Sequence, residues 1–74
     1  MTPYEFRIAK LRCSGLTLRE ISKITEKSYG TTRIDFHKLY RKLGMKVGQN
    51  ESETVRELRE KVEEEIELRG REGI

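Results

Sequence analysis

The sequence predicts an all-α fold built from four helices, the last of them extended. Three observations predict it. The apolar residues recur with helical spacing, a capping residue precedes each recurring stretch, and no stretch alternates apolar and polar residues as a half-buried strand would. At 74 residues the chain is one small domain, near the lower limit at which a single hydrophobic core suffices.

Two capping boxes open the first two helices. In each, a threonine precedes a glutamate by three residues, so that each side chain can bond the other residue's backbone N–H. A glycine stops the first helix, and the polar segment TEKS ends the second. The predicted ranges are about 3–14, opened by Thr2, Pro3 and Glu5 and ended by Gly15, and about 18–25, opened by Thr17 and Glu20.

The third helix is predicted from the cap Ser28 to the stop Gly44 and has two distinct faces. Apolar side chains and one threonine recur at i, i+4, i+7 and i+11, which is one side of a helix. They are Thr32, Phe36, Leu39 and Leu43. Basic side chains recur at i, i+4 and i+8 on another side of the helix. They are Arg33, His37 and Arg41, and Lys38 and Lys42 lie nearby. One face of the helix is therefore suited to burial in a hydrophobic core, and the other is suited to contact with a negatively charged partner.

The fourth helix is predicted over about 52–69, after a loop at 45–51 and with Asn50 or Ser52 as its cap. Its apolar line is narrow and nearly coiled-coil-like, and consists of Val55, Leu58, Val62 and Ile66. Eighteen helical residues span about 27 Å, longer than so small a body needs. We therefore predict a homodimer interface here. The alternative is that the line folds back on the domain's own core.

The charge is unevenly divided along the chain. Residues 1–49 carry eleven Lys and Arg against four acids, a balance of +7, whereas residues 50–74 carry five against nine, a balance of −4. We interpret 1–49 as a basic helix-turn-helix body, 50–70 as an amphipathic dimerisation helix and 71–74 as a frayed tail. A basic body followed by an acidic helix is typical of a protein that binds a polyanion through one part only.

Several functional classes are not expected. One Cys and one His cannot supply a disulfide or a Cys/His metal site, and Cys13 is most simply a reduced, partly buried thiol. No nucleophile–base pair or phosphate-binding loop is present, so we expect neither an enzyme nor a cofactor, and no small-molecule ligand is evident. The sequence shows no signal peptide and no apolar run near the roughly 18 residues of a membrane span, which favours a cytoplasmic, nucleoid-associated protein.

Two short capped helices, a tight break and a longer basic helix form the layout of a helix-turn-helix, and the predicted fourth helix makes the domain tetrahelical. Specific residues add to this layout: Thr2, Glu5, Ile8, Leu11, GLTLREIS over 15–22, Ser28, Thr31 and RKLG over 41–44. Together they resemble the LuxR-type (GerE-like) DNA-binding domain over residues 2 to about 55. That resemblance implies that helix 3 enters the major groove and that helix 4 forms the dimer contact.

The chain departs from that family's pattern in the turn and in helix 3. The family usually has Leu, Gly and Ile where this chain has Thr25, Glu26 and Lys27, and Val and His where it has Thr32 and Asp35. The glutamate matters most, because a left-handed turn residue other than Gly costs roughly 1–2 kcal/mol. A different path of the turn is therefore expected.

The expected partner is double-stranded DNA, and the candidate contacts fall into two groups. Arg33 can bond guanine O6 and N7 with both arms of its guanidinium, and a glycine early in the helix lets the backbone approach closely. The base-contact candidates are Gly30, Arg33, Ile34 and His37. The phosphate-contact candidates, several of them implied by the resemblance, are Thr17, Lys27, Ser28, Tyr29, Thr31, Lys38 and Arg41.

Simpler roles compete with these assignments. The basic face can be a solvated surface, and Gly30 a packing glycine. Asp35 can pair with Lys38 or Lys42, or accept from a cytosine N4. Tyr29 and Tyr40 can each lie at the edge of the core or donate to a DNA phosphate. We expect Tyr40 in the core and Tyr29 in contact with phosphate.

Two functions follow from the sequence. The first is a small stand-alone transcriptional regulator that binds specific duplex DNA as a homodimer. The alternative is a helix-turn-helix adaptor that binds RNA polymerase or another regulator through its acidic fourth helix.

Overall fold

Four helices make up the fold, as predicted. The computed structural model describes residues 1–46 and 48–72, with side chains described through residue 70, and no strand occurs among the described residues. The helices are α1 Pro3–Cys13, α2 Leu18–Ile24, α3 Tyr29–Lys42 and α4 Glu51–Glu72. The all-α prediction is confirmed. Val47, in the predicted loop, and residues 73–74, in the predicted tail, lie outside the described residues.

The helices begin where their caps predict. Thr2 accepts a hydrogen bond from the Glu5 amide at 3.1 Å and Glu5 Oε1 accepts from the Thr2 amide at 2.8 Å, and the second capping box repeats this arrangement. The Thr2 amide, and after it the Lys42 ammonium, holds the pKa of Glu5 below its usual value. Ser28 caps α3, and of the two candidates for α4 it is Asn50 whose side chain accepts from the Glu53 amide at 2.9 Å.

One hydrophobic core joins all four helices. The predicted core face of α3 is confirmed, since Thr32, Phe36 and Leu39 are buried and Leu43 is partly buried against the core. The buried apolar residues are Ile8, Ala9, Ile21, Phe36, Leu39, Met45, Leu58 and Val62. Because α3 is anchored by this face, its opposite face is held toward solvent in a fixed orientation.

Helix α4 packs along α1, and this contact overturns part of the predicted dimer interface. Arg12 pairs with Glu51 near the start of α4, and the N-terminal amine lies 3.4 Å from Glu65 Oε1 farther along it. Between them, Leu58 and Val62 are only 0% and 5% exposed. Their assignment to a dimer interface is therefore wrong. Their apolar surface is covered by the chain's own core, as the alternative interpretation had it.

The far end of α4 remains uncovered. Ile66 and Leu68 are 51% and 53% exposed, whereas Val55 is half-buried. The helix also continues through Glu72, beyond the predicted end at about residue 69. At 22 residues, α4 is about 33 Å long and extends beyond the part that covers the core.

The turn between α2 and α3 takes a left-handed conformation although it contains no glycine. Glu26 has φ +58°, the only positive φ among the described non-glycine residues. The Lys27 amide donates to the Ser22 carbonyl at 2.9 Å and the Glu26 amide to the Lys23 carbonyl at 3.3 Å, which is a Schellman motif. The expected change of path is thus wrong, because two backbone hydrogen bonds hold glutamate in a conformation that favours glycine.

Replacing Glu26 by glycine is expected to stabilise the domain by about 1 kcal/mol. The left-handed conformation costs a non-glycine residue roughly 1–2 kcal/mol, and the greater freedom of glycine in the unfolded chain offsets part of that gain. Urea denaturation followed by circular dichroism measures the difference. Glu26→Ala is the control, because it removes the charge and keeps Cβ. An equal gain in that variant would show that charge, not backbone strain, is responsible.

Candidate nucleic-acid interface

The solvent face of α3 presents an uninterrupted stripe of exposed side chains. All four predicted base contacts lie on it, since residues 30, 33, 34 and 37 are spaced for one side of a helix, and all are exposed. Ile34, an apolar residue, is 56% exposed among them. The stripe continues with Lys38 and Arg41, which are also exposed. The structure thus brings the candidate base contacts together on one accessible surface.

Gly30 lies on this stripe and packs against nothing. Apart from its two chain neighbours and the nearby backbone of its own helix, no heavy atom lies within 4 Å of the position that a Cβ atom would take. Its φ is not positive. The fold therefore requires glycine here neither for space nor for conformation. Gly30 therefore has no packing role, and the backbone of the first turn of α3 is accessible from solvent.

An aromatic ring with two guanidinium groups lies at the start of α3. The Arg19 Cζ atom lies 4.6 Å from the centroid of the Tyr29 ring, and the Arg33 Cζ atom lies 5.9 Å from it. Both distances fall within the range of cation–π attraction, so the ring restrains both arginines. Arg19 was not among the predicted contacts, because the helical spacing within helix 3 gives no information about a single arginine on α2.

Hydroxyl groups surround the N-terminus of α3. Ser28 Oγ accepts from the Thr31 amide at 3.1 Å and donates to Thr31 Oγ1 at 2.9 Å. Because the proton of Ser28 is used in this way, the Thr31 hydroxyl is the one left to donate outward. Thr17 is also exposed, and its oxygen caps α2.

Lys27 has a partner within the protein that the sequence did not predict. Its Nζ lies 3.5 Å from Asp35 Oδ2 and 3.9 Å from the centroid of the Tyr4 ring. The Tyr4 hydroxyl donates to the same Asp35 oxygen at 2.7 Å. The predicted pairing of Asp35 with Lys38 or Lys42 is therefore wrong, because the carboxylate turns toward α1 and the turn. Lys27, a predicted phosphate contact, is occupied by these two groups.

The pKa values within this cluster follow from the same contacts. Burial raises the pKa of Tyr4, and the hydrogen bond that its hydroxyl donates to Asp35 raises it further. Contact with the Tyr4 side chain, followed by the charge of Asp35, raises the pKa of the Lys27 ammonium. The three groups are thus electrostatically linked.

Two other side chains of α3 face inward or across to α1. Lys42 Nζ lies 2.9 Å from Glu5 Oε1, so it ties α3 to α1 and is separated from the stripe. Tyr40 packs against the core, with its ring centroid 5.7 Å from that of Phe36, and burial raises its pKa. The placement of Tyr40 in the core is confirmed, and Tyr29 remains exposed.

Comparison with known proteins adds no relative. No protein-family model, curated protein or solved structure matches this chain. The resemblance to the LuxR-type domain therefore rests on the quoted residues and motifs alone.

Two further observations concern the described part of the chain. None of its helices is long and apolar enough to cross a membrane. Nor do its described His, Cys, Asp and Glu side chains form a group of three that could hold a metal ion.

Proposed function

We propose that the protein binds duplex DNA with α3 in the major groove and acts as a small transcriptional regulator. The observation that carries the proposal is the exposed stripe of α3. It bears arginine, histidine and lysine side chains without an acid, and the opposite face of the same helix is buried. A rigid helix with a basic outer face has the dimensions and charge that a major groove accepts.

Base recognition is assigned to the middle of the stripe. Arg33 is proposed to donate to O6 and N7 of a guanine, with Tyr29 restricting the positions of its guanidinium. The exposed side chain of Ile34 suits contact with a thymine methyl group, and His37 can donate to a base one turn farther on. The open space beside Gly30 allows close approach of the duplex.

Phosphate contacts are assigned to the edges of the stripe. The Thr31 hydroxyl and the backbone N–H groups at the start of α3 can donate to one phosphate, since a helix N-terminus attracts anions. Lys38 and Arg41 are exposed farther along the helix and can reach the opposite strand. Thr17, Tyr29 and Arg19 lie near the first turn of α3, so both strands of a groove have donors available. The hydroxyl proton of Ser28 is used within the protein, so Ser28 contributes through its cap of α3 and not as a donor to phosphate.

A homodimer belongs to this proposal, with its contact moved to the end of α4. Ile66 and Leu68 are exposed apolar residues there, whereas Val55 is half-buried near the start of the helix and lies outside this contact. Two copies related by a two-fold axis would present two α3 helices to successive grooves about 34 Å apart.

Titration of labelled random-sequence duplex DNA tests the proposed function. We expect micromolar binding at 50 mM salt that weakens steeply toward 200 mM, because Lys and Arg side chains that neutralise phosphates release counterions. Fluorescence anisotropy follows the binding, and selection from a random pool then yields the preferred site. Absence of binding at the lower salt would overturn the proposal and favour the adaptor function, in which the acidic α4 contacts a protein.

A further inference from the structure

The cluster of Tyr4, Lys27 and Asp35 joins three parts of the fold at one carboxylate. Tyr4 belongs to α1, Lys27 to the turn and Asp35 to α3. The hydroxyl donates to Asp35 Oδ2 at 2.7 Å, and the ammonium lies 3.5 Å from the same oxygen. Asp35 is the only acid on α3, and its side chain is 21% exposed.

The carboxylate is held more firmly than the ammonium. The short hydrogen bond from Tyr4 fixes Asp35 to α1, whereas the Lys27 side chain is 40% exposed and bound at a longer distance. The Tyr4 ring lies against the ammonium and adds a cation–π contact at 3.9 Å. Asp35 and Tyr4 therefore keep the amino group beside α1, where the Asp35 carboxylate offsets its charge.

We propose that Asp35 is a positioning residue that withholds Lys27 from the DNA backbone and thereby limits affinity. This inference rests on the proposed function. Lys27 directly precedes the cap of α3, next to the hydroxyl groups assigned to phosphate. An ammonium at that place would bind a phosphate if no carboxylate held it. While the Asp35 carboxylate holds it, Lys27 makes no phosphate contact in the wild-type domain.

A double-mutant cycle tests the proposal. Asp35→Asn keeps the shape of the side chain and an oxygen that can accept from Tyr4. We expect it to tighten binding several-fold at low salt and to steepen the slope of log K against log salt by about 0.9, which corresponds to one phosphate. Lys27→Met alone is expected to change affinity less than about twofold. In the double variant the gain from Asp35→Asn should disappear.

Other outcomes of the cycle would overturn the proposal. A gain that persists in the double variant would mean that Asp35 acts only as a repelling charge. Loss of affinity in Asp35→Asn would mean that it supports binding. A large loss in Lys27→Met alone would mean that Lys27 already contacts phosphate. Thermal melts of all variants show whether the fold is retained.

A measurement without DNA separates this inference from the proposed function. The pKa of Tyr4, followed by NMR of ¹³C-labelled tyrosine rings, is expected to fall in Asp35→Asn, because the charged acceptor of its hydroxyl is removed. Tyr40, in the core, serves as the internal control. An unchanged Tyr4 pKa would overturn the cluster itself. If the Tyr4 pKa falls as expected in Asp35→Asn but the wild-type protein does not bind DNA, the cluster stands. Only the proposed function and the role of Asp35 in it are then overturned.

Discussion

Alanine at Arg33 is expected to weaken binding to the preferred duplex by about 5- to 150-fold. That range corresponds to the roughly 1–3 kcal/mol that a bidentate contact between arginine and guanine contributes to discrimination. The loss should be confined to one base pair of the site, because only the contact with that base is removed. Anisotropy titrations against every single-base variant of the selected site measure it.

Matched controls separate base recognition from general attraction. Arg56 is exposed on α4, which packs along α1. Arg56→Ala removes the same charge and is expected to leave the preference for the site unchanged. Lys38→Ala should weaken all sequences about equally, since a phosphate contact carries no sequence information. If Arg33→Ala retains the wild-type preference at every position, Arg33 does not read a base and the docking of α3 is wrong.

Lysine at Leu58 is expected to unfold the domain. Leu58 is fully buried in the core, and even its replacement by alanine should cost about 2–5 kcal/mol in the free energy of unfolding. A domain of this size has rarely more than about 3–5 kcal/mol available from a single core. Burial of an unpaired charge costs more still. Circular dichroism should show no cooperative melting transition for Leu58→Lys.

Ile66 provides the matched control on the same helix. Its side chain is 51% exposed, so Ile66→Lys is expected to melt as the wild type does. Sedimentation of this folded variant then tests the proposed dimer, which should dissociate. A folded, monomeric Leu58→Lys variant would contradict the packing of α4 along α1 and restore Leu58 to the interface. The choice of residue therefore decides whether sedimentation reports on association or on unfolding.

The starts of the helices could be predicted because the signals that set them are local. Thr2, Thr17, Ser28 and Asn50 each bond a backbone amide three residues away. Such contacts form within a single turn and need no knowledge of the rest of the fold. The faces of α3 could be predicted for the same reason, since helical spacing alone separates the buried residues from the exposed stripe.

The path of the turn required more than local preference. Left-handed backbone is unfavourable for Glu26, and the sequence alone therefore indicated a different path. In the structure, two hydrogen bonds to the end of α2 and the joint packing of α2 and α3 on the core hold that conformation. Together, these hydrogen bonds and the packing of the two helices outweigh a cost of about 1–2 kcal/mol, which a single-residue propensity cannot foresee.

By itself, the sequence determined that the chain forms four capped helices and that the third carries a core face and a basic face. Only the tertiary structure decided which apolar residues of α4 are covered, and which acid holds Lys27. The reason is physical: capping and helical periodicity act over three or four residues, whereas the contact of Leu58 with the core and that of Asp35 with Tyr4 depend on how α1, α3 and α4 pack together.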